Sequence, residues 1–328
     1  GILEFQLAVT DDDDASGLDS VRVTVSPDPV DEASVVVFEF DGKTRTYTLF
    51  TPDSFVSGSS ALLLLHGGGQ SMRKVLAPDR TTRRWVEIAQ RDGIPLIVPN
   101  GFNNGSDSGL GDNQSWNDIR TDDTGRTSSE DDAGFLLAVL DDASATVSFN
   151  TDKIYTTGAS NGGIMAMTML IQSPERFAAG AAFIAALPEE AVPVPAEPTP
   201  FFMLNGTEDP LIVFEGGTVR RGGAPTRSVP DTVDYWKRAT ESDPRTEFFN
   251  LLPNENVGDN CEITVSEFRS RPSGRSSFIY YEAIGGGHTI PDPTAPVLSP
   301  AARELLGNRC RDAHGVDLAF DFFQSLEE

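Results

Sequence analysis

Three polar residues, far apart in a chain of 328, have neighbours suited to acyl transfer: Ser160, Asp209 and His288. Ser160 lies in Gly158-Ala159-Ser160-Asn161-Gly162-Gly163, between an apolar run ending at Thr157 and a helical pattern over residues 164–172. A turn this tight between strand and helix excludes bulk beside the serine and lifts its hydroxyl above the sheet. Gly-x-Ser-x-Gly alone is a weak signal in a chain with 30 glycines, and the flanking strand and helix patterns give it weight.

A serine hydroxyl needs an imidazole to take its proton and a carboxylate to orient that imidazole. The chain has three histidines. His314 sits in a terminal loop, and His66 sits in a glycine turn. His288 follows Gly285-Gly286-Gly287 after a strand pattern, so its loop can curl over the serine; it is the expected base. For the acid, Asp209 is preferred to Glu208, because neighbours on an extended segment cannot both face the site and Pro210 fixes the turn after Asp209. The order Ser160, Asp209, His288 is that of the α/β hydrolases and not that of chymotrypsin or subtilisin.

The glycines of Leu65-His66-Gly67-Gly68-Gly69-Gln70 follow an unbroken apolar strand and let backbone N–H groups approach a ligand. Gly68 and Asn161 are the expected oxyanion donors, with Gly67 or Gly69 as alternatives to Gly68. A phosphate cradle is the competing use, but the lysine of a P-loop is missing. Gly69, Gln70 and Trp116, a lone tryptophan in a polar stretch, are candidate substrate contacts; a tryptophan that merely pins its loop is the competing reading for Trp116. The chemistry needs no metal and no organic cofactor.

These residues require a scaffold. Apolar runs at residues 61–65, 94–98, 154–157, 178–183 and 201–205 alternate with helical patterns at 85–91, 132–147, 164–172 and 231–240. That alternation predicts an α/β fold, a mostly parallel sheet with helices on both faces. Strand patterns also occur at 34–40, 44–50, 261–269 and 277–283, and an amphipathic helix closes the chain at 316–326. Residues 100–130 read as a long polar loop. Residues 1–26 read differently: two alternating runs around Asp11-Asp12-Asp13-Asp14 form a β-hairpin pattern, which resembles the last two strands of an immunoglobulin-like or polycystic-kidney-disease-like module and is expected to be a remnant of one. Residues 27–33 read as a linker and 34–328 as the catalytic domain. The aspartate run is expected to be a solvated turn, with calcium binding as the competing reading, since its spacing is not that of an EF-hand loop.

Fifty acidic residues against 25 basic give a net charge of -25, and only four residues are lysine. Such a surface repels nucleic acid and anionic membrane, so neither is an expected partner. It also suits high salt, where screening relieves the self-repulsion. No stretch approaches the roughly 18 apolar residues of a membrane span, and a chain beginning at Gly1 is expected to be a mature or trimmed form. Cys261 and Cys310 are expected to form one disulfide, in keeping with a protein secreted to the extracellular space.

Several blocks in sequence order resemble the secreted polyhydroxybutyrate depolymerase and feruloyl esterase group. They are Leu65-His66-Gly67-Gly68-Gly69, Ser115-Trp116-Asn117-Asp118, Asp131-Asp132-Ala133-Gly134-Phe135, the Ser160 turn, Asn205-Gly206-Thr207-Glu208-Asp209-Pro210 and Glu282-Ala283-Ile284-Gly285-Gly286-Gly287-His288-Thr289. The resemblance spans roughly residues 35–326. It implies an α/β-hydrolase fold, an extracellular location, the same triad, and hydrolysis of polyesters of the polyhydroxyalkanoate or aromatic kind. The alternative is a feruloyl or acetyl xylan esterase acting on plant cell-wall esters. Depolymerases of this kind carry β-sandwich linkers, so upstream modules of that type are expected in the full-length protein. Ile290-Pro291 departs from the group, whose members commonly have a tryptophan there; residues 241–260 and the cysteine pair depart as well.

Overall fold

The computed structural model describes residues 2–10, 16–24, 28–121, 127–219 and 223–327. The chain divides into two compact units, residues 1–33 and residues 34–328. In the first, β1 (Ile2–Thr10) and β2 (Ser16–Thr24) pair antiparallel from Ile2↔Thr24 to Thr10↔Ser16, the hairpin that the alternation predicts. Asp11 to Asp14 lie outside the described residues. The expected linker contains a single 3-10 turn, Pro29–Glu32, capped by the Asp28 carboxylate on the amide of Val30 at 2.9 Å.

The second unit is built on ten strands. In chain order they are β3 (Ser34–Phe40), β4 (Lys43–Phe50), β5 (Ala61–Leu65), β6 (Leu96–Pro99), β7 (Ile154–Ala159), β8 (Ala179–Phe183) and β9 (Phe201–Gly206). A separate two-stranded ribbon, β10 (Gly217–Val219) with β11 (Gly223–Thr226), precedes β12 (Phe248–Leu251), β13 (Glu262–Arg269) and β14 (Ser276–Ile284). The sheet order is β12-β13-β14-β9-β8-β7-β5-β6-β4-β3. Six central strands, β14 through β6, run parallel, and an antiparallel pair closes each end. Of these, β5, β6, β8 and β9 are buried along their whole length, as strands covered on both faces must be.

Helices α1 (Met72–Val75), α2 (Arg84–Asp92), α3 (Asp132–Thr146), α4 (Asn161–Gln172), α5 (Val229–Ala239), α6 (Pro300–Leu306) and α7 (Gly315–Ser325) complete the unit. Phe201 and Phe202 show how both faces are covered. Successive strand residues point to opposite faces. Phe201 stacks on Trp236 of α5 at 3.9 Å, while Phe202 meets Phe322 of α7 at 6.3 Å. On the α7 face, Phe323 stacks on Tyr155 of β7 at 4.5 Å and on Trp85 of α2 at 6.4 Å. The other face holds α3, α4 and α5 over a core that includes Phe135, Ile164, Met167 and Trp236.

The strand order reverses between β5 and β7: from β5 the chain builds outward to β6, and from β7 outward to β8, β9 and β14. Open α/β sheets bind their ligands at the carboxyl ends of the strands beside such a reversal. The glycine turn follows β5 and Ser160 follows β7, so the two stretches singled out by sequence flank that crevice.

Candidate active site

Ser160 sits at the junction of β7 and α4 with φ 57° and ψ -127°, the left-handed side of φ that a side chain rarely adopts. The turn closes because its glycines are irreplaceable on steric grounds. A Cβ on Gly158 would fall on the carbonyl of Gly162, and one on Gly162 would fall on the carbonyl oxygens of Leu65 and His66. The Ser160 amide donates to the carbonyl of Phe183 on β8 at 2.9 Å, and its carbonyl accepts from Ile164 at 2.9 Å. The serine is partly exposed.

Asp209 follows β9 and His288 follows β14, the strand paired with β9. His288 Nδ1 lies 2.7 Å from Asp209 Oδ2, with both side chains buried. The other carboxylate oxygen, Oδ1, accepts the amides of Leu211 at 2.7 Å and Ile212 at 2.9 Å, which fixes the carboxylate before it meets the ring. An imidazole held through Nδ1 keeps Nε2 for proton transfer. Glu208 is exposed, as expected from the alternation that favours Asp209.

The two loops are laced together by backbone bonds. Glu208 N–H donates to Gly286 O at 2.8 Å, Thr207 N–H to Ala283 O at 3.0 Å, and Gly285 N–H to Thr207 Oγ1 at 2.9 Å. On its other side the histidine loop rests on the end of α6 and the segment after it: His288 N–H donates to Leu306 O at 2.6 Å and Gly287 N–H to Asn308 O at 2.9 Å. The Cys261–Cys310 disulfide, with Cα atoms 5.3 Å apart, ties the start of β13 to that segment. It lies directly under Gly286, where a Cβ would stand 3.1 Å from Cys310 Sγ.

The glycine turn lies against Asn161: a Cβ on Gly68 would be 3.5 Å from that of Asn161. Among the described residues the backbone N–H groups of Gly68 and Asn161 have no partner, and that of Gly67 has none either. Gly69 is no alternative donor, because its N–H already bonds the Gln114 carbonyl at 2.8 Å. Gly69 is exposed and Gln70 half-buried, the latter bridged to Gln114 through backbone.

The substrate-contact reading of Trp116 is corrected by its surroundings. The side chain is 0% exposed, its Nε1–H donates to the His66 carbonyl at 2.8 Å, and its ring lies 4.7 Å from that of His66. A polar stretch hides this role, since the partner carbonyl belongs to a residue fifty positions away. His66 itself is a wedge. Gly101 N–H donates to its Nε2 at 3.0 Å, so Nδ1 carries the proton and donates to Gly67 O at 2.8 Å. Burial pushes its pKa down to about 4 and keeps it neutral. His314 caps α7 and stands 3.4 Å from Asp292, away from the Asp209 pair.

Sequence reasoning missed the polar frame behind Asn161. Its Oδ1 accepts the amide of Trp116 at 2.8 Å, and its Nδ2 donates to Trp116 O at 3.1 Å and Asp118 Oδ2 at 2.8 Å. Asp118 is in turn forked by Arg120, with both side chains buried. Next to it, Asp132 accepts Asn117 N–H at 2.8 Å and pairs with Arg45 at 2.6 Å; that guanidinium lies 3.8 Å over the Phe135 ring. Burial raises the Asp132 pKa against the pull of Arg45. The only available signal was the run Ser115-Trp116-Asn117-Asp118, which names the acceptor but not the asparagine it serves.

Comparison with known proteins agrees with this geometry. The prolyl oligopeptidase family matches residues 102–187, the stretch that includes the Ser160 turn. The chain is 27% identical over 309 residues to the candidate esterase NocK of Nocardia uniformis subsp. tsuyamanensis, covering 90% of this chain and 84% of that one. Among solved structures it is similar to the acetyl xylan esterase from Aspergillus awamori, at TM-score 0.54 and 14% identity over 89% of this chain and 99% of the other. It spans 61% of the length of a thermostable esterase, 73% of its own, at TM-score 0.45 and 15% identity. Strand order, the turn at Ser160 and the likeness to the Aspergillus enzyme agree: residues 34–328 have the α/β-hydrolase fold.

Proposed function

We propose that this carboxylic ester hydrolase works through an acyl-enzyme on Ser160, outside the cell, and that its substrates are polyesters, of the polyhydroxyalkanoate kind or aromatic. Ser160 Oγ attacks the ester carbonyl while His288 Nε2 takes its proton, and Asp209 steadies the imidazolium that forms. The oxyanion is held by the N–H groups of Gly68 and Asn161. His288 then gives the proton to the leaving alcohol, and a water activated by the same ring frees the acid.

The observation that carries the reading is the 2.7 Å His288–Asp209 pair, set at the carboxyl ends of the parallel strands, as is a serine with positive φ. The likeness to NocK supports ester chemistry. The substrate class is supported by the resemblance of the motif blocks and by the partly exposed serine beside exposed Gly68 and Gly69, a rim that a bulky chain can reach. The disulfide supports an oxidising, extracellular setting.

One panel tests all of this: polyhydroxybutyrate, an aromatic polyester, methyl ferulate and acetylated xylan, with wild type and Ser160→Ala side by side. Release of hydroxybutyrate oligomers is the expected result, with turnover down at least about a thousand-fold in the variant. Faster release of ferulate or acetate would move the assignment to a plant cell-wall esterase. Failure of Ser160 to take a fluorophosphonate label would remove the mechanism.

A further inference from the structure

Acidic residues outnumber basic ones two to one here, 50 against 25, and several arginines meet a carboxylate. Arg73 meets Asp112, Arg84 meets Asp317, Arg176 meets Asp141 and Arg245 meets Asp243. Arg227, Arg238, Arg271 and Arg275 have no ion pair among the described residues either, but Arg303, Arg309 and Arg311 stand together. Arg303, Arg309 and Arg311 line one cavity of about 150 Å³, and among the described residues none of them forms an ion pair with a carboxylate. A guanidinium has five N–H donors. Arg309 uses Nη1 on the Pro296 carbonyl at 3.3 Å and Arg311 uses Nη2 on the Pro293 carbonyl at 2.8 Å, while the Nε of each is shut from solvent with no partner. Burial pushes the Arg309 guanidinium below its usual range; Asp292 opposes this and the charge of Arg311 adds to it.

Asp259 is the one acidic residue lining the cavity, and its carboxylate is already engaged by the amides of Cys261 at 2.9 Å and Arg311 at 2.7 Å. The rest of the wall includes Pro296, Val297 and Leu298, with Val297 78% exposed. Cationic groups and aliphatic side chains lining one cavity match a carboxylate that carries a short alkyl chain, since planar guanidinium groups bond carboxylate oxygens in pairs. A tetrahedral inorganic anion would use the arginines and leave the aliphatic wall bare. The volume suits a molecule of a few heavy atoms, water occupying about 30 Å³.

We propose that this cavity binds a small aliphatic carboxylic acid, the acid released by ester cleavage; naming it as the product rests on the function proposed above. The site is joined to the catalytic loop. Asn308, which also lines the cavity, accepts Gly287 N–H and Thr289 Oγ1–H on its carbonyl, and Leu306 O holds the amide of His288. An acid bound to the arginines therefore braces the segment on which the His288 backbone hangs.

The test uses the full chain carrying Ser160→Ala, titrated with 3-hydroxybutyrate, butyrate and inorganic phosphate by calorimetry and thermal denaturation. Both carboxylates should bind and raise Tm, and phosphate should bind more weakly. Arg309→Gln and Arg303→Gln should each weaken carboxylate binding about ten-fold, the worth of one charge-assisted hydrogen bond. Arg303 is exposed on α6, so an unchanged Tm without ligand shows that its variant is folded. Unweakened binding in the Arg303→Gln protein, tighter binding of phosphate than of butyrate, or no carboxylate binding at all would overturn the site. Since this protein cannot turn over, a wrong substrate assignment leaves the outcome readable.

Discussion

Asn161 makes three hydrogen bonds with its side chain and leaves its backbone N–H open, which is what an oxyanion donor requires. Its rigidity depends on Asp118, so Asp118→Ala should do two things. It frees Asn161 Nδ2 and removes the carboxylate that Arg120 forks, and the resulting loss of stability is what urea denaturation would read. His66 carries the pH prediction. Its folded pKa, about 4, lies below the ordinary 6.5, so between those values the unfolded chain binds the proton and the folded chain does not. Its contribution is present above pH 6.5 and is lost as pH falls toward 4, at about 1.4 kcal/mol per unit. Stability curves of wild type and His66→Gln should differ in slope by that amount in this window, and parallel curves would show that the ring is not held neutral. The roles proposed for Ser160, Asp209 and His288 were legible because their neighbours are glycines and strand ends. For Trp116 the sequence left substrate contact and loop pinning open, and burial against His66 favours the second, because a side chain's burial depends on what the remote chain lays over it.

Element by element, the site is three strand ends and the loops that leave them. Gly162→Ala places a methyl group on two backbone carbonyls, so the variant should fold poorly or lose about 3 kcal/mol or more, seen as a fall in soluble yield and Tm. The disulfide closes a loop with a sequence separation of 49, for which loop entropy gives about 4 kcal/mol. Cys261→Ser with Cys310→Ser should lower stability by roughly that order and, because Cys310 supports Gly286, should lower kcat in the surviving folded fraction as well. Sequence patterns placed β5, β7, β8, β9, α2, α3 and α4 to within a few residues, since their apolar periodicity is set by burial on one or both faces. The same patterns missed β12 and α6. The strand Phe248–Leu251 is exposed at every position, so no alternation marks it, and Pro300–Leu306 is a short, largely surface helix.

For the molecule as a whole, a net charge of -25 makes self-repulsion a global term. Raising salt from low ionic strength to about 1 M shortens the Debye length to about 3 Å and should raise Tm. A flat or falling Tm would show that the carboxylates are not opposing the fold. Residues 34–328 form a compact unit of their own, so a chain lacking residues 1–33 should still unfold cooperatively and still take a fluorophosphonate label at Ser160.

By itself the sequence determined the strand-helix alternation, the turn around Ser160 and the order of the three candidate residues. All of these are local, written in periodicity and in where only glycine fits. Tertiary structure alone decided that Trp116 is a pillar under His66, that Gly69 has no free N–H, and that Asn161 is locked by Asp118. It also brought Arg303, Arg309 and Arg311 to one cavity. The first three depend on pairings across tens of residues, and such pairings exist only once ten strands have taken their places in one sheet.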